Sequence, residues 1–112
     1  MNEAAAEKIA SRLAELWQTS RPTILERMAA LHTAWETLAA NPLDHDARER
    51  GREAAHKLSG VLGIFGLPQG SEMASALEEQ LKPSAPLLPN DLAGLHKRIA
   101  ELDAVIASKS AQ

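Results

Sequence analysis

A chain of 112 residues with a formal net charge of −3 fits one domain of ordinary size and carries no basic footprint for nucleic acid. Cysteine is absent, which excludes disulfides, thiolate zinc sites and thiol nucleophiles, and no run approaches the ~18 uninterrupted apolar residues of a membrane span. With one Phe, two Trp and no Tyr, the apolar content is almost wholly aliphatic, a composition that suits helix packing better than a sheet.

The opening Met1-Asn2-Glu3-Ala4 lacks the basic and apolar regions of a secretory signal, so a soluble, cytoplasmic protein is the default expectation. Six prolines (22, 42, 68, 83, 86 and 89) punctuate the chain, and between them the apolar spacing is helical. A first helix is predicted near 3–18, with Ile9, Leu13, Leu16 and Trp17 on one side. A second, near 21–40 and capped by Thr19 or Ser20, carries Ile24, Met28, Leu31, Trp35 and Leu38 at the four-three spacing of a bundle seam. Asn41-Pro42 closes it. Asp44 or Asp46 caps a third helix near 45–65, whose apolar line is Ala47, Ala54, Leu58, Leu62 and Phe65.

Gly66-Leu67-Pro68 marks a stop and a new start. The fourth predicted helix, near 68–82, carries Met73, Ala74, Leu77 and Leu81. A Pro-rich connection follows from Lys82 to Pro89. Asn90 is the expected cap of a last helix near 90–107, with Leu92, Leu95, Ile99, Leu102 and Ile106 in the same seam pattern and fraying after Ala107. Short connections favour antiparallel neighbours. The expectation is a single all-α domain over 1–112, an antiparallel up-down-up-down four-helix bundle with an additional N-terminal helix packed across one end.

The third helix carries the functional signal. An α-helix turns ~100° per residue, so with Leu58 set at zero, Ala54, Leu62 and Phe65 fall within about 40° of it and define a buried stripe. His56 falls roughly 160° away, on the water side, with Gly60 beside it one turn later and Gly63 two turns later. Glycine inside a helix costs ~1 kcal/mol relative to alanine, so two on one exposed face need a reason. A partner that must approach the imidazole closely would supply it. The other reading, that Gly60 ends the helix early, is opposed by Val61, Leu62 and Phe65, which continue the stripe.

A neutral, exposed imidazole is a competent nucleophile at cellular pH: it can attack a phosphoryl group and later give it up. Lys57 sits to one side, where its ammonium either offsets phosphoryl charge or is simply solvated.

The run Ala55-His56-Lys57-Leu58-Ser59-Gly60-Val61-Leu62-Gly63-Ile64-Phe65-Gly66-Leu67 resembles the phosphorylation segment of histidine phosphotransfer domains. Their pattern places an apolar residue two after the His, Gly four after, a small residue at seven and Gly-Leu at ten and eleven; here these are Leu58, Gly60, Gly63, Gly66 and Leu67. Downstream, Ala74, Leu77 and Glu78 resemble the ending of the family's next helix. Three glycines at fixed offsets have a chance probability on the order of 10⁻⁴ at ~7% usage. One departure stands out: many members carry Lys three after the His, where this chain has Ser59.

The resemblance implies that His56 is phosphorylated and exchanges its phosphoryl group with the aspartate of a response-regulator receiver domain, a sensor histidine kinase being the other partner. It implies a phosphocarrier with no turnover of its own and no cofactor, magnesium being the receiver's. Lys57, Ser59, Gly60 and Gly63, with Leu67 and Gln69 across the break, are the expected phosphate-supporting or docking residues of a protein expected to be monomeric. Two alternatives stand beside it: the phosphoryl-accepting domain of a chemotaxis-type kinase, whose acceptor helix looks alike, and an adaptor bundle that keeps the shape and binds without transfer, which would have no use for His56 and its glycines.

The remaining candidates read as structural. His32 and His96 lie beside their helix seams, and Trp17 and Trp35 on apolar sides suit core packing better than ligand binding. Asp44-His45-Asp46 places two acids and an imidazole in succession, which converge poorly on one ion, so no metal site is expected there. Arg48 to Glu53 reads as a solvated, charge-paired face, with Arg52 and Glu53 near the docking rim. Gly51 points to the core, suggesting close helix packing against Trp35.

Overall fold

The computed structural model describes residues 2–84 and 86–110, the last by its backbone alone. Among these, four helices form: α1 (Glu3–Ala40), α2 (His45–Ile64), α3 (Pro68–Leu81) and α4 (Pro89–Ser110). Each packs on its neighbours in ring order, α1 against α2 and α4, and α3 against α2 and α4. This is the antiparallel up-down-up-down bundle. The seam residues fill its centre: Ile24, Leu31 and Leu38 of α1, Leu58 and Leu62 of α2, Leu77 and Leu81 of α3, and Leu95, Ile99, Leu102 and Ile106 of α4 are all fully buried.

The separate N-terminal helix does not exist. Residues 3–40 form one continuous helix with Pro22 inside it. Proline removes one backbone hydrogen bond and crowds the preceding turn, a cost of roughly 3 kcal/mol. Trp17 and Ile24, seven residues apart on either side of Pro22, are both buried on the same face, and breaking the helix there would put one of them out of register. Thr19 is accordingly no cap; its hydroxyl donates to the carbonyl of Glu15 within the helix at 3.0 Å. The long axis of the molecule, 54 Å, reflects a 38-residue rod whose N-terminal part runs past the end of the shorter α2.

The caps divide in the same way. Asp44 accepts from the backbone N–H of Ala47 at 2.9 Å and starts α2 as expected. Asn90 does not cap α4, which begins at Pro89; the Asp91 carboxylate instead accepts from the N–H of Leu88 at 2.9 Å. α4 remains helical through Ser110, beyond the expected fraying point, while residues 111 and 112 lie outside the described set.

Two residues between Arg48 and Glu53 belong to the core. Arg48 is buried, and its Nε donates to the carbonyl of Leu81 at 2.9 Å while Nη2 donates to that of Lys82. One guanidinium thus satisfies the carbonyls left open at the end of α3. Replacing Arg48 with alanine is expected to lower the unfolding free energy by about 2–3 kcal/mol, read as a lower urea midpoint, because buried acceptors of charge-assisted bonds lose their donor. Gly51 is a close-packing position, but against Ala34 and Leu81 in place of Trp35: a Cβ there would lie 3.0 Å from Ala34 Cβ and 3.2 Å from Leu81 Cδ1.

Candidate functional site

α2 displays His56 as its periodicity requires. Ala54, Leu58, Leu62 and Phe65 are buried on one side, while the His56 side chain is 67% exposed on the other. The helix continues through Gly60 to Ile64, so Gly60 does not end it. A Cβ at Gly60 would meet nothing within 4 Å, which leaves open space one turn from the imidazole. A Cβ at Gly63 would make ordinary contact with Ser71 of α3 at 3.6 Å. The stop comes later. Leu67 N–H donates to Leu62 O at 3.0 Å and Gly66 N–H to Gly63 O at 3.3 Å, with Gly66 at φ +72. This is the paired closure in which glycine supplies the left-handed residue.

α3 runs back along α2 and brings Glu78 to the imidazole. Glu78 Oε2 lies 3.0 Å from His56 Nδ1 and 3.3 Å from Nη1 of Arg52. Arg52 also donates from Nε and Nη2 to the two oxygens of Glu49, at 2.9 and 2.7 Å. The Arg52 hydrogen bonds hold the Glu49 carboxyl below the usual carboxylate range, and the same bonds push the guanidinium above its ordinary value. Arg52 is therefore a fixed cation that holds Glu78 beside the histidine. No hydrogen-bond partner reaches Nε2 among the described residues. One ring nitrogen faces a carboxylate and the other faces water.

The expected site residues separate into groups. Ser59 turns toward α3, its hydroxyl 2.6 Å from that of Ser75 and its carbonyl accepting from Ser71 at 2.7 Å. Lys57 lies on the α1 side of α2, with its ammonium 3.5 Å from Glu53. Leu67 is half-buried and packs against the core, because the closure that ends α2 folds it inward. Gln69 is exposed but borders α4, sharing a groove with Ala104, Val105 and Ser108. Lys57, Ser59, Gly60 and Gly63 thus lie within two turns of His56 along α2, whereas Leu67 and Gln69 belong to the end of the bundle. Glu78 has a place beside the imidazole that sequence reasoning did not assign. Its proximity depends on the register of α3 against α2, which no local pattern encodes.

The other histidines have structural partners. His32 Nε2 lies 2.6 Å from Asp103 Oδ2, bridging α1 and α4. His96 stacks on Trp35 with ring centroids 4.1 Å apart, and the Trp35 indole donates to Leu92 O at 2.8 Å. Trp17 packs edge-on against Phe65 in the core. Among the described residues no group of three or more His, Asp or Glu side chains is placed to hold a metal ion, and no helix is long and apolar enough to cross a membrane.

Comparison with known proteins agrees with this geometry. The profile of the Hpt domain matches residues 13–105. A curated relative, the protein RcaC from Microchaete diplosiphon, is 32% identical over 110 residues, covering 88% of this chain and 17% of that protein. The chain therefore spans a small part of the length of the relative it matches. No solved structure matches the chain significantly. An all-helical antiparallel bundle, a displayed histidine flanked by glycine, and a family match over most of the length place the chain in the Hpt domain family, the histidine phosphotransfer modules of two-component phosphorelays.

Proposed function

We propose that His56 is the phosphoacceptor, that Nε2 is the attacking atom, and that the phosphoryl group is exchanged with the aspartate of a receiver domain. The observation that carries this reading is the arrangement around one ring: Nε2 open to water and Nδ1 3.0 Å from a carboxylate that Arg52 holds in place. A carboxylate at Nδ1 favours the tautomer with its proton there, which leaves the Nε2 lone pair free to attack.

In the forward step Nε2 attacks the phosphorus of the receiver's phosphoaspartate. The N–P bond forms as the P–O bond breaks, and the aspartate leaves as a carboxylate. The ring then carries positive charge while retaining its Nδ1 proton, and Glu78 faces that charge. The reverse step restores the phosphoaspartate. The magnesium required for this exchange belongs to the receiver, and the bundle supplies the positioned imidazole, with no turnover by itself. Family membership suits a place in a cytoplasmic relay.

The test is to mix the protein with a phosphorylated receiver, recover label that is stable in base and lost in acid, and map it by mass spectrometry. Label on His56 is expected; label on another residue or none at all rejects the assignment. A second prediction concerns Glu78. Replacing it with glutamine keeps the shape and removes the charge, and a partly exposed pair of this kind is worth about 1 kcal/mol, so transfer is expected to slow about fivefold. Stopped-flow transfer rates beside retained helical content are the check.

A further inference from the structure

α3 ends where the sequence withholds the usual means of ending a helix. The last four carbonyls of a helix have no intrahelical donor, and the common closure draws on backbone N–H groups just past the cap. Here the cap is Lys82 and the next residue is Pro83, which has no N–H to give. Lys82 N–H reaches back three residues, to Glu79 O at 3.3 Å. The donors at Leu81 O and Lys82 O come from another helix: Arg48 Nε at 2.9 Å, and Arg48 Nη2.

Nothing in its own helix calls for a cation at Arg48. It stands four residues into α2, near the positive end of that helix's dipole, which disfavours a guanidinium. α2 and α3 run antiparallel, so the same point faces the negative end of α3, and there the charge is favourable. The buried Arg48 is thus explained by what it does for α3.

The turn it closes is the one that carries Glu78. Residues 78–81 are the last turn of α3, and helix ends fray. Arg48, Arg52 and His56 follow one another at intervals of four on α2; the first meets the carbonyls at the end of α3, and the other two meet Glu78. Arg52 holds the Glu78 carboxylate but not the backbone beneath it. A group that orients a reacting ring must stay within about 0.5 Å of its working place.

We propose that Arg48, about 12 Å along α2 from His56, is a positioning residue for phosphoryl transfer: by closing α3 from the side, it keeps Glu78 against Nδ1 of the imidazole. This inference rests on the roles given above to His56 and Glu78.

The experiment uses phosphoramidate, a small donor that transfers its phosphoryl group to Nε2 as ammonia leaves. Labelling rates are measured for wild type, R48A, R48K, E78Q, R48A/E78Q and R48K/E78Q, at a temperature where circular dichroism shows the protein folded. R48K keeps the stem and the charge and supplies a variant that folds if R48A does not. The proton position on the His56 ring is read in parallel from long-range ¹H–¹⁵N spectra.

R48A is expected to slow labelling about fivefold, as E78Q does, and R48K about twofold. Neither is expected to slow E78Q further, because both act through the same carboxylate. The His56 ring in R48A and R48K is expected to move from the Nδ1-protonated tautomer towards a mixture. Wild-type rates and an unchanged tautomer in the folded Arg48 variants overturn the proposal. So does equal slowing in the wild-type and E78Q backgrounds, which would mark general loss of stability. E78Q labelling at the wild-type rate defeats the role of Glu78 instead, and failure to label His56 in wild type defeats the phosphoacceptor reading itself.

Discussion

Changing His56 to glutamine is expected to abolish acid-labile phosphorylation while leaving the helical content unchanged and the unfolding free energy within about 1 kcal/mol of wild type. The side chain is 67% exposed, and its one close contact, with Glu78, is a partly exposed pair whose loss costs about 1 kcal/mol at most. Histidine and glutamine differ little in helix propensity, and the difference favours glutamine. The chemistry has no such tolerance. Glutamine offers an amide whose nitrogen lone pair is delocalised, so there is no nucleophile in place of Nε2. His32, His45 and His96 do not substitute, because His32 is half-buried where α1 meets α4, His96 is stacked on Trp35, and His45 sits in the first turn of α2, about three turns from the site. Label persisting in H56Q, located by mass spectrometry, would show that another residue carries the phosphoryl group.

The second large effect is expected at Gly60. G60L should raise thermodynamic stability by up to about 1 kcal/mol, because a glycine inside α2 becomes a good helix former and its Cβ meets nothing within 4 Å. The same change should slow transfer on the order of 100-fold. A leucine one turn from His56 projects toward the partner, and a displacement of about 1 Å from an in-line geometry costs that much. G60A should fall between, with most of the stability gain and a smaller loss of rate. Chemical denaturation beside transfer kinetics separates the two effects, since a mutation that merely damaged the fold would lower both. Unimpaired transfer in G60L would remove the need for clearance and leave the glycine without a function.

Local pattern made much of this molecule legible. The three-four spacing of Leu58, Leu62 and Phe65 fixes which side of α2 is buried, and the displayed His56 and open Gly60 follow from the ~100° turn alone. Asp44 as a cap and Gly66 as the left-handed residue that closes α2 are equally local, since each depends on backbone groups a few residues away. Proline misleads for the same reason. Pro22 is a breaker by its neighbours, yet the buried pair Trp17 and Ile24 holds the helix straight through it.

What the tertiary structure decided lies wherever two helices meet. Arg48 reads as surface charge until α3 ends above it with two open carbonyls. Gly51 announces close packing, but only the assembled bundle names Ala34 and Leu81 as what it packs against. Glu78 reaches His56 across 22 positions of sequence because α3 lies antiparallel in one register, and a shift of a single turn would take it away. A periodic pattern states which face of a helix is apolar and therefore which residues water meets. Sliding one helix along another leaves that pattern intact, so interhelical partners are set by the packing of the whole core.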